Sequence, residues 1–268
     1  MENHLQYDPT LFQGTASYYS SYRFPYPEEL FQHIVQSFHL DKNSQVLDLG
    51  CGTGNLSIPL ASYCQNVIGM DPDPEMLREA KRLATLNQVE NLELVLGSSW
   101  DISNDMGPFQ ATIMGESFHW MDRDGVLNAL YDVIASYGGI AIVSKKQIGP
   151  SGYQEVVDQV IKEFLGEKRK AGKGFYSHPT ERHEVVLSRS RFSILEPYRF
   201  EYQVEKTIED LIGFLYSTSY ANKRLLGDEV ENFEKELRQG LISVGSSGKL
   251  SFQVTVTALM GRKDGKGC

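Results

Sequence analysis

Cysteine is scarce in this chain, three in 268 residues, and Cys51, Cys64 and Cys268 form no CxxC pair or other metal-ligand spacing. An odd count without a pairing pattern reads as reduced thiols in a cytoplasmic protein. Long apolar runs are also missing: no segment approaches the roughly 20 residues of a spanning helix, and no charged start leads into an apolar core. No membrane association is expected. Basic charge is the third deficit, because 26 Lys and Arg against 35 Asp and Glu leave a formal net charge of −9. Binding to a phosphate backbone draws its affinity from lysine and arginine, so nucleic acid is disfavoured as a partner. The densest basic run, 162–173, is broken by acids and reads as a solvated helix end. Metal is not expected either. His178 and His183 stand without an HExxH pair or an acid cluster, and Gly172-Lys173-Gly174 lacks the length and leading strand of a phosphate loop.

What the chain does contain is an ordinary globular composition, 41% hydrophobic and 23% charged, in a length that suits one domain with a cap. Strand-like and helix-like segments alternate, with strands expected at 45–49, 66–70, 92–96, 110–114 and 139–144. Helices are expected at 30–38, 74–86 and 122–135, with Gly138-Gly139 as a turn after the last. This is the pattern of a doubly wound parallel sheet. Helices at 153–165, 208–216 and 228–242 and alternating strands at 199–204 and 250–259 then complete it. The expected fold is α/β: a Rossmann-like, mostly parallel seven-stranded sheet with an antiparallel C-terminal edge hairpin and a helical cap. The expected organisation is a lid segment at 1–30, a core at 31–145, a cap insertion at 146–190 and a completing segment at 191–268.

The first strand, Gln45-Val46-Leu47-Asp48-Leu49, runs into Gly50-Cys51-Gly52-Thr53-Gly54. Glycines at alternate positions allow positive φ and let a ligand approach the backbone more closely than any Cβ would permit. The second strand ends on Asp71, about twenty residues further on, which is the spacing of an acid that accepts hydrogen bonds from both hydroxyls of a ribose. A dinucleotide loop wants a further glycine where this chain has Asn55. Asp48 just before the turn would repel a pyrophosphate but suits the ammonium and sulfonium of S-adenosylmethionine. A nicotinamide-dependent oxidoreductase is the competing enzyme class. A binding protein that keeps the pocket without turnover is the non-enzymatic one.

Val46-Leu47-Asp48-Leu49-Gly50-Cys51-Gly52-Thr53-Gly54 resembles the first motif of class I S-adenosylmethionine-dependent methyltransferases. Gly97-Ser98-Ser99-Trp100-Asp101 falls where that family places its adenine-binding turn. Phe118-His119-Trp120 resembles the segment after strand four in small-molecule members such as trans-aconitate methyltransferase. Residues 16–27, rich in Tyr, Arg and Pro, are similar to the N-terminal segment of that subgroup, with Phe24 where proline is more usual. The resemblance implies S-adenosyl-L-methionine as cofactor, held by Asp48, Gly50, Gly52, Gly54, Asp71, Pro72, Met76, Ser98, Ser99, Trp100 and Gly115. It implies a small-molecule methyl acceptor contacted by Tyr18, Tyr19, Tyr22, Arg23, Glu116, His119 and Trp120. An RNA or protein acceptor is the alternative, without an Asn-Pro-Pro-Tyr-like segment after strand four to support it.

Several of these positions have two readings. Asp48 either caps the glycine turn or orients the cofactor's amino group, and Asp71 either starts a turn or binds ribose. Met76 is either an adenine wall or core, and Trp100 either faces adenine or packs at the sheet edge. The tyrosines at 18, 19, 22 and 26 either anchor the N-terminal segment or form a lid in which Arg23 pairs with a carboxylate of the cofactor or the acceptor. Residues 115–120 follow strand four and should face the transferred methyl. His119 there is a candidate general base or a packed spacer.

Overall fold

The computed structural model describes residues 8–168, 170–175, 180–245 and 248–265. Its main sheet is built on β1 (Gln45–Leu49), β2 (Asn66–Asp71), β3 (Leu92–Leu96), β4 (Phe109–Gly115), β5 (Ile134–Ile148), β6 (Tyr198–Thr207) and β7 (Lys249–Arg262). Across the sheet they lie in the order β3, β2, β1, β4, β5, β7, β6. The first five are parallel, and β7 runs antiparallel between β5 and β6. An eighth, two-residue strand, Ser193–Ile194, pairs with the far end of β7. It exists because the edge strand is interrupted at 195–197. Leu195 still donates to Met260 O at 2.9 Å, but Pro197 has no N–H with which to continue a ladder.

The reversal of strand order at β1 and β4 opens a crevice at their carboxyl ends, where ligands of such sheets gather. The pleat divides the core. Val46 of β1 faces one side with Ile113, Val143, Val254 and Val256, while Leu47 and Leu49 face the other with Met114 and Ile142. The first side is covered by α2 (Glu28–Phe38), α6 (Tyr153–Leu165), α8 (Ile208–Tyr216) and α10 (Val230–Val244). The second is covered by α5 (Arg123–Val133) and α7 (His183–Ser188). The remaining helices are α1 (Ala16–Tyr22), α3 (Ser57–Leu60), α4 (Pro74–Leu86) and α9 (Lys223–Leu226). Helix α1 touches both α4 and α8 and so bridges the mouth of the crevice.

Local chemistry explains the helix starts. Asp73 accepts from Glu75 N at 2.8 Å and precedes Pro74, so α4 begins on an N-cap followed by the residue best suited to its first position. Thr207 and Asp210 form a reciprocal capping box on α8. One expectation fails here. Residues 138–139 do not form a turn after a helix reaching 135; α5 stops at Val133 and β5 starts at once. The two glycines serve close backbone approach instead, since a Cβ on Gly139 would sit 2.3 Å from Gly261 O and one on Gly138 2.6 Å from Gln110 O. Within the expected cap insertion, Lys170–Ala171 and Gly174–Phe175 pair as a short hairpin. Cys51 and Cys64 are buried free thiols, whereas His178 and Cys268 lie outside the described residues. Among the described residues no helix is long and apolar enough to cross a membrane.

Candidate functional site

The glycine turn after β1 is tied to the end of β2, because Gly50 N and Cys51 N both donate to Met70 O, at 2.8 and 3.0 Å. Gly50, Gly52 and Gly54 have φ of 74°, 54° and 84°, the left-handed region that disfavours side chains by roughly 1–2 kcal/mol per residue. Their steric settings differ. A Cβ on Gly50 would meet Ser117 Cβ at 2.5 Å, and one on Gly54 would meet Ile58 Cδ1 at 3.1 Å, but one on Gly52 would find nothing nearer than Tyr19 Cε1 at 3.8 Å. Gly52 therefore leaves its backbone open to the crevice.

Asp71 ends β2 with its carboxylate divided between two backbone donors, Gly52 N to Oδ2 at 2.8 Å and Asp73 N to Oδ1 at 2.9 Å. Each oxygen keeps acceptor capacity for one more donor. Burial pushes this carboxyl up to about 6, against the lowering effect of those two bonds. Asp48 is 1% exposed, and its Oδ2 accepts from Ser57 Oγ at 2.5 Å. Burial pushes it up to about 7, opposed by the Ser57 bond and reinforced by the negative charge of Asp71.

A cavity of about 600 Å³ opens over these groups. Gly50, Gly52, Asp71, Pro72, Met76, Ser98, Ser99, Trp100 and Gly115 all line it; Asp48 and Gly54 do not. The Asp48 carboxylate accepts from Ser57, and a Cβ on Gly54 would point at Ile58 and Ala80. Met76, 3% exposed, is both core and cavity wall. The turn after β3 is held rigid by a capping box, with Ser98 N and Oγ donating to Asp101 Oδ2 at 2.7 and 2.9 Å. Trp100 on that turn is 47% exposed.

A second cavity of about 370 Å³ adjoins the first, and Phe12, Tyr19, Glu116, His119 and Trp120 line both. Its other walls include Arg23, Lys145, Gln147, Phe214 and residues 218–220. Arg23 Cζ lies 4.4 Å from the Tyr19 ring centroid and 5.3 Å from that of Phe214. Its Nη2 donates to Ser217 O at 2.8 Å, so the guanidinium ties the end of α1 to the end of α8. Its Nε is buried without a hydrogen-bond partner among the described residues. Lys145 Nζ donates to Phe24 O at 2.5 Å and lies 3.8 Å over the Tyr26 ring. Burial pulls this amine down to about 7, offset in part by Glu116.

Tyr18 and Tyr22, expected to face the acceptor, line neither cavity. Their rings stack at 6.1 Å, Tyr18 meets Tyr216 edge-on at 5.4 Å, and a Cβ on Gly213 would stand 2.4 Å from Tyr22 Cδ2. They anchor α1 to α8, the packing alternative for these aromatics. The structure also brings in residues that sequence reasoning left out. Asp8, Leu11 and Phe12 come from before α1, and Gly174 and Phe175 from the short hairpin. Asp8 Oδ2 accepts from Lys173 N at 2.5 Å, linking the two segments. Lys145, Gln147, Phe214, Thr218, Ser219 and Tyr220 complete the smaller cavity. No local motif marks any of them; only their convergence in space does. Among the described residues no group of His, Cys, Asp and Glu is arranged to hold a metal ion.

Residues 46–138 match the family model of a methyltransferase domain. An uncharacterised methyltransferase-like protein of Schizosaccharomyces pombe is 25% identical over 233 residues, spanning 87% of this chain and 86% of its own. A solved structure assigned as a type II methyltransferase from Anaeromyxobacter dehalogenans superposes with a TM-score of 0.63 at 21% identity, covering 90% of this chain and 98% of that one. Coclaurine N-methyltransferase, solved with N-methylheliamine and S-adenosylhomocysteine, reaches a TM-score of 0.50 at 14% identity over 88% of this chain and 72% of its own.

Proposed function

We propose that this chain, whose residues 46–138 match a methyltransferase domain, moves the methyl group of S-adenosylmethionine by direct in-line displacement to an oxygen or nitrogen of a small metabolite. The reading rests on one observation: the smaller cavity meets the larger at Phe12, Tyr19, Glu116, His119 and Trp120 and is walled by α8 and residues 218–220. An acceptor there is held within a pocket of about 370 Å³ rather than on an open basic surface. The formal charge of −9 supports the same reading against an RNA acceptor.

The residues present suit the cofactor. Asp71 has remaining acceptor capacity beside Pro72 for the ribose, and Met76, Ser98, Ser99 and Trp100 border the space for the adenine. Gly50, Gly52 and Gly115 leave room for the methionine part near the junction. Bound there, S-adenosylmethionine supplies an electrophilic methyl on a positively charged sulfur. The protein's task is alignment. Aromatic side chains at the junction exclude water, and His119 and Trp120 contact the acceptor, so that orientation supplies much of the rate, about 7–11 kcal/mol in favourable cases.

The test is to incubate the protein with methyl-labelled S-adenosylmethionine and a cell extract divided into low-molecular-weight, RNA and protein fractions. Label entering the low-molecular-weight fraction supports the reading. Label confined to RNA or protein overturns it.

A further inference from the structure

The geometry points to Glu116, rather than His119, as the group that takes the proton from the attacking atom of the acceptor. This rests on the reading of a small oxygen or nitrogen acceptor. Of the five residues that line both cavities, only Glu116, His119 and Tyr19 titrate. The reacting atoms must meet at that junction, so a proton acceptor for the transfer has to be one of them.

Glu116 carries the strongest sign of fixed placement. Its φ is 57°, in the left-handed region that a glutamate rarely enters. The backbone is held there by Glu116 N donating to Val143 O at 2.9 Å. Its Oε1 accepts from Lys145 N at 2.8 Å, which fixes the carboxylate, and among the described residues none donates a hydrogen bond to Oε2. Such strain persists where the surroundings over-determine it, and here what it positions is a carboxylate at the junction of the two cavities.

The other groups fit the role less well. The His119 ring is tilted against Trp120 with centroids 4.9 Å apart, a packed arrangement. Burial holds the phenol of Tyr19 above its ordinary value, so it is protonated near neutrality. Lys145 lines the smaller cavity only. Several charges and phenols surround Glu116: Arg23 and Tyr19 from the α1 region, Tyr26 from the segment before α2, and Lys145 from β5. Burial raises the carboxyl, and the cations of Lys145 and Arg23 moderate the rise.

In the step itself, a lone pair on the acceptor atom forms the new bond to the methyl carbon. The carbon–sulfur bond breaks with its electron pair passing to sulfur, which becomes a neutral thioether. The proton of the acceptor atom moves to Glu116 Oε2 and from there to water.

The experiment uses sinefungin, which carries an amine where S-adenosylmethionine carries its methyl, beside S-adenosylhomocysteine, which carries nothing there. Calorimetry on the full chain should show that Glu116→Gln weakens sinefungin about tenfold or more by losing a charge-assisted hydrogen bond, with S-adenosylhomocysteine affinity unchanged. The sinefungin advantage in the wild type should fade as pH falls through the titration of the carboxyl. A parallel loss for both ligands would place Glu116 on the cofactor's amino-acid end and overturn the proposal, as would no loss for either. In the extract assay, Glu116→Gln should lower total methyl transfer roughly 10²–10⁴-fold and His119→Gln much less; the reverse order overturns it. Label found only in polymer, with the sinefungin result intact, would overturn the small-acceptor reading and leave the placement of Glu116 standing.

Discussion

Two carboxyls beneath the crevice titrate near neutrality because burial removes the water that would stabilise their charge: Asp71 at about 6 and Asp48 at about 7. A cofactor bearing a sulfonium and an ammonium favours the ionised forms. Binding should therefore release protons, and affinity for S-adenosylmethionine should rise as pH increases from about 5 to 8, measurable by calorimetry in buffers of different ionisation enthalpy. Flat affinity over that range would remove these carboxyls from the binding equilibrium. The sign for stability follows from the same shift. Asp48 has a folded value above its ordinary 3.8, so its contribution is fully present below that value and is lost as pH rises through about 7. Asp48→Asn should accordingly make the denaturation midpoint less sensitive to pH across 4–8, provided the asparagine keeps the bond to Ser57. At Asp71 the expected loss is one of ligand hydrogen bonds: Asp71→Ala should weaken S-adenosylhomocysteine by about 1–3 kcal/mol in a folded protein.

The glycine turn separates two functions that one motif conceals. Gly50→Ala places a Cβ 2.5 Å from Ser117 Cβ, and Ser117 is itself buried and donates to Leu49 O at 2.7 Å. Chemical denaturation should show a loss of about 1–3 kcal/mol from this overpacking, in addition to the cost of a left-handed alanine. Gly52→Ala meets nothing nearer than 3.8 Å, so only the conformational cost of roughly 1–2 kcal/mol is expected in stability. Its main effect should appear as weakened cofactor binding, because Gly52 lines the larger cavity. Equal effects of the two changes on both measurements would show that the turn acts as a unit. At the junction, His119→Ala should raise the acceptor KM more than it lowers kcat, which steady-state kinetics would distinguish.

The whole molecule depends on its C-terminal half for a core that the motif-bearing half cannot close alone. Strand β7 pairs along β5 from Arg262 opposite Gly139 to Gln253 opposite Ile148. Leu237 of α10 and Val254 and Val256 of β7 are fully buried in the same cluster as Val46, Ile113 and Val143. Leu237→Ala should cost about 2–5 kcal/mol in stability while the folded fraction binds S-adenosylhomocysteine as before. A fragment ending at residue 145 should lack a cooperative unfolding transition, since β5 would be left as an unpaired apolar edge.

The alternation of strands and helices, the ends of α4 and α6 and the glycine turn with its downstream acid were legible because each is set by neighbours in sequence: hydrophobic period, an N-cap, a left-handed φ. Asp71 could be placed at the crevice from spacing alone, for a strand end is a local event. What tertiary structure decided is everything that depends on segments meeting. Tyr19 reaches both cavities while Tyr18 and Tyr22 anchor a helix, because α1 presents different faces to the crevice and to α8. Lys145 joins the smaller cavity through the length of β5, and Asp8 and Phe175 meet from opposite parts of the chain over the larger one. The sequence determined the fold class and the chemistry of the cofactor, which rest on local backbone geometry and charge. The shape and polarity of the smaller cavity came only from the packing of α1, α8 and β5, which no local pattern encodes.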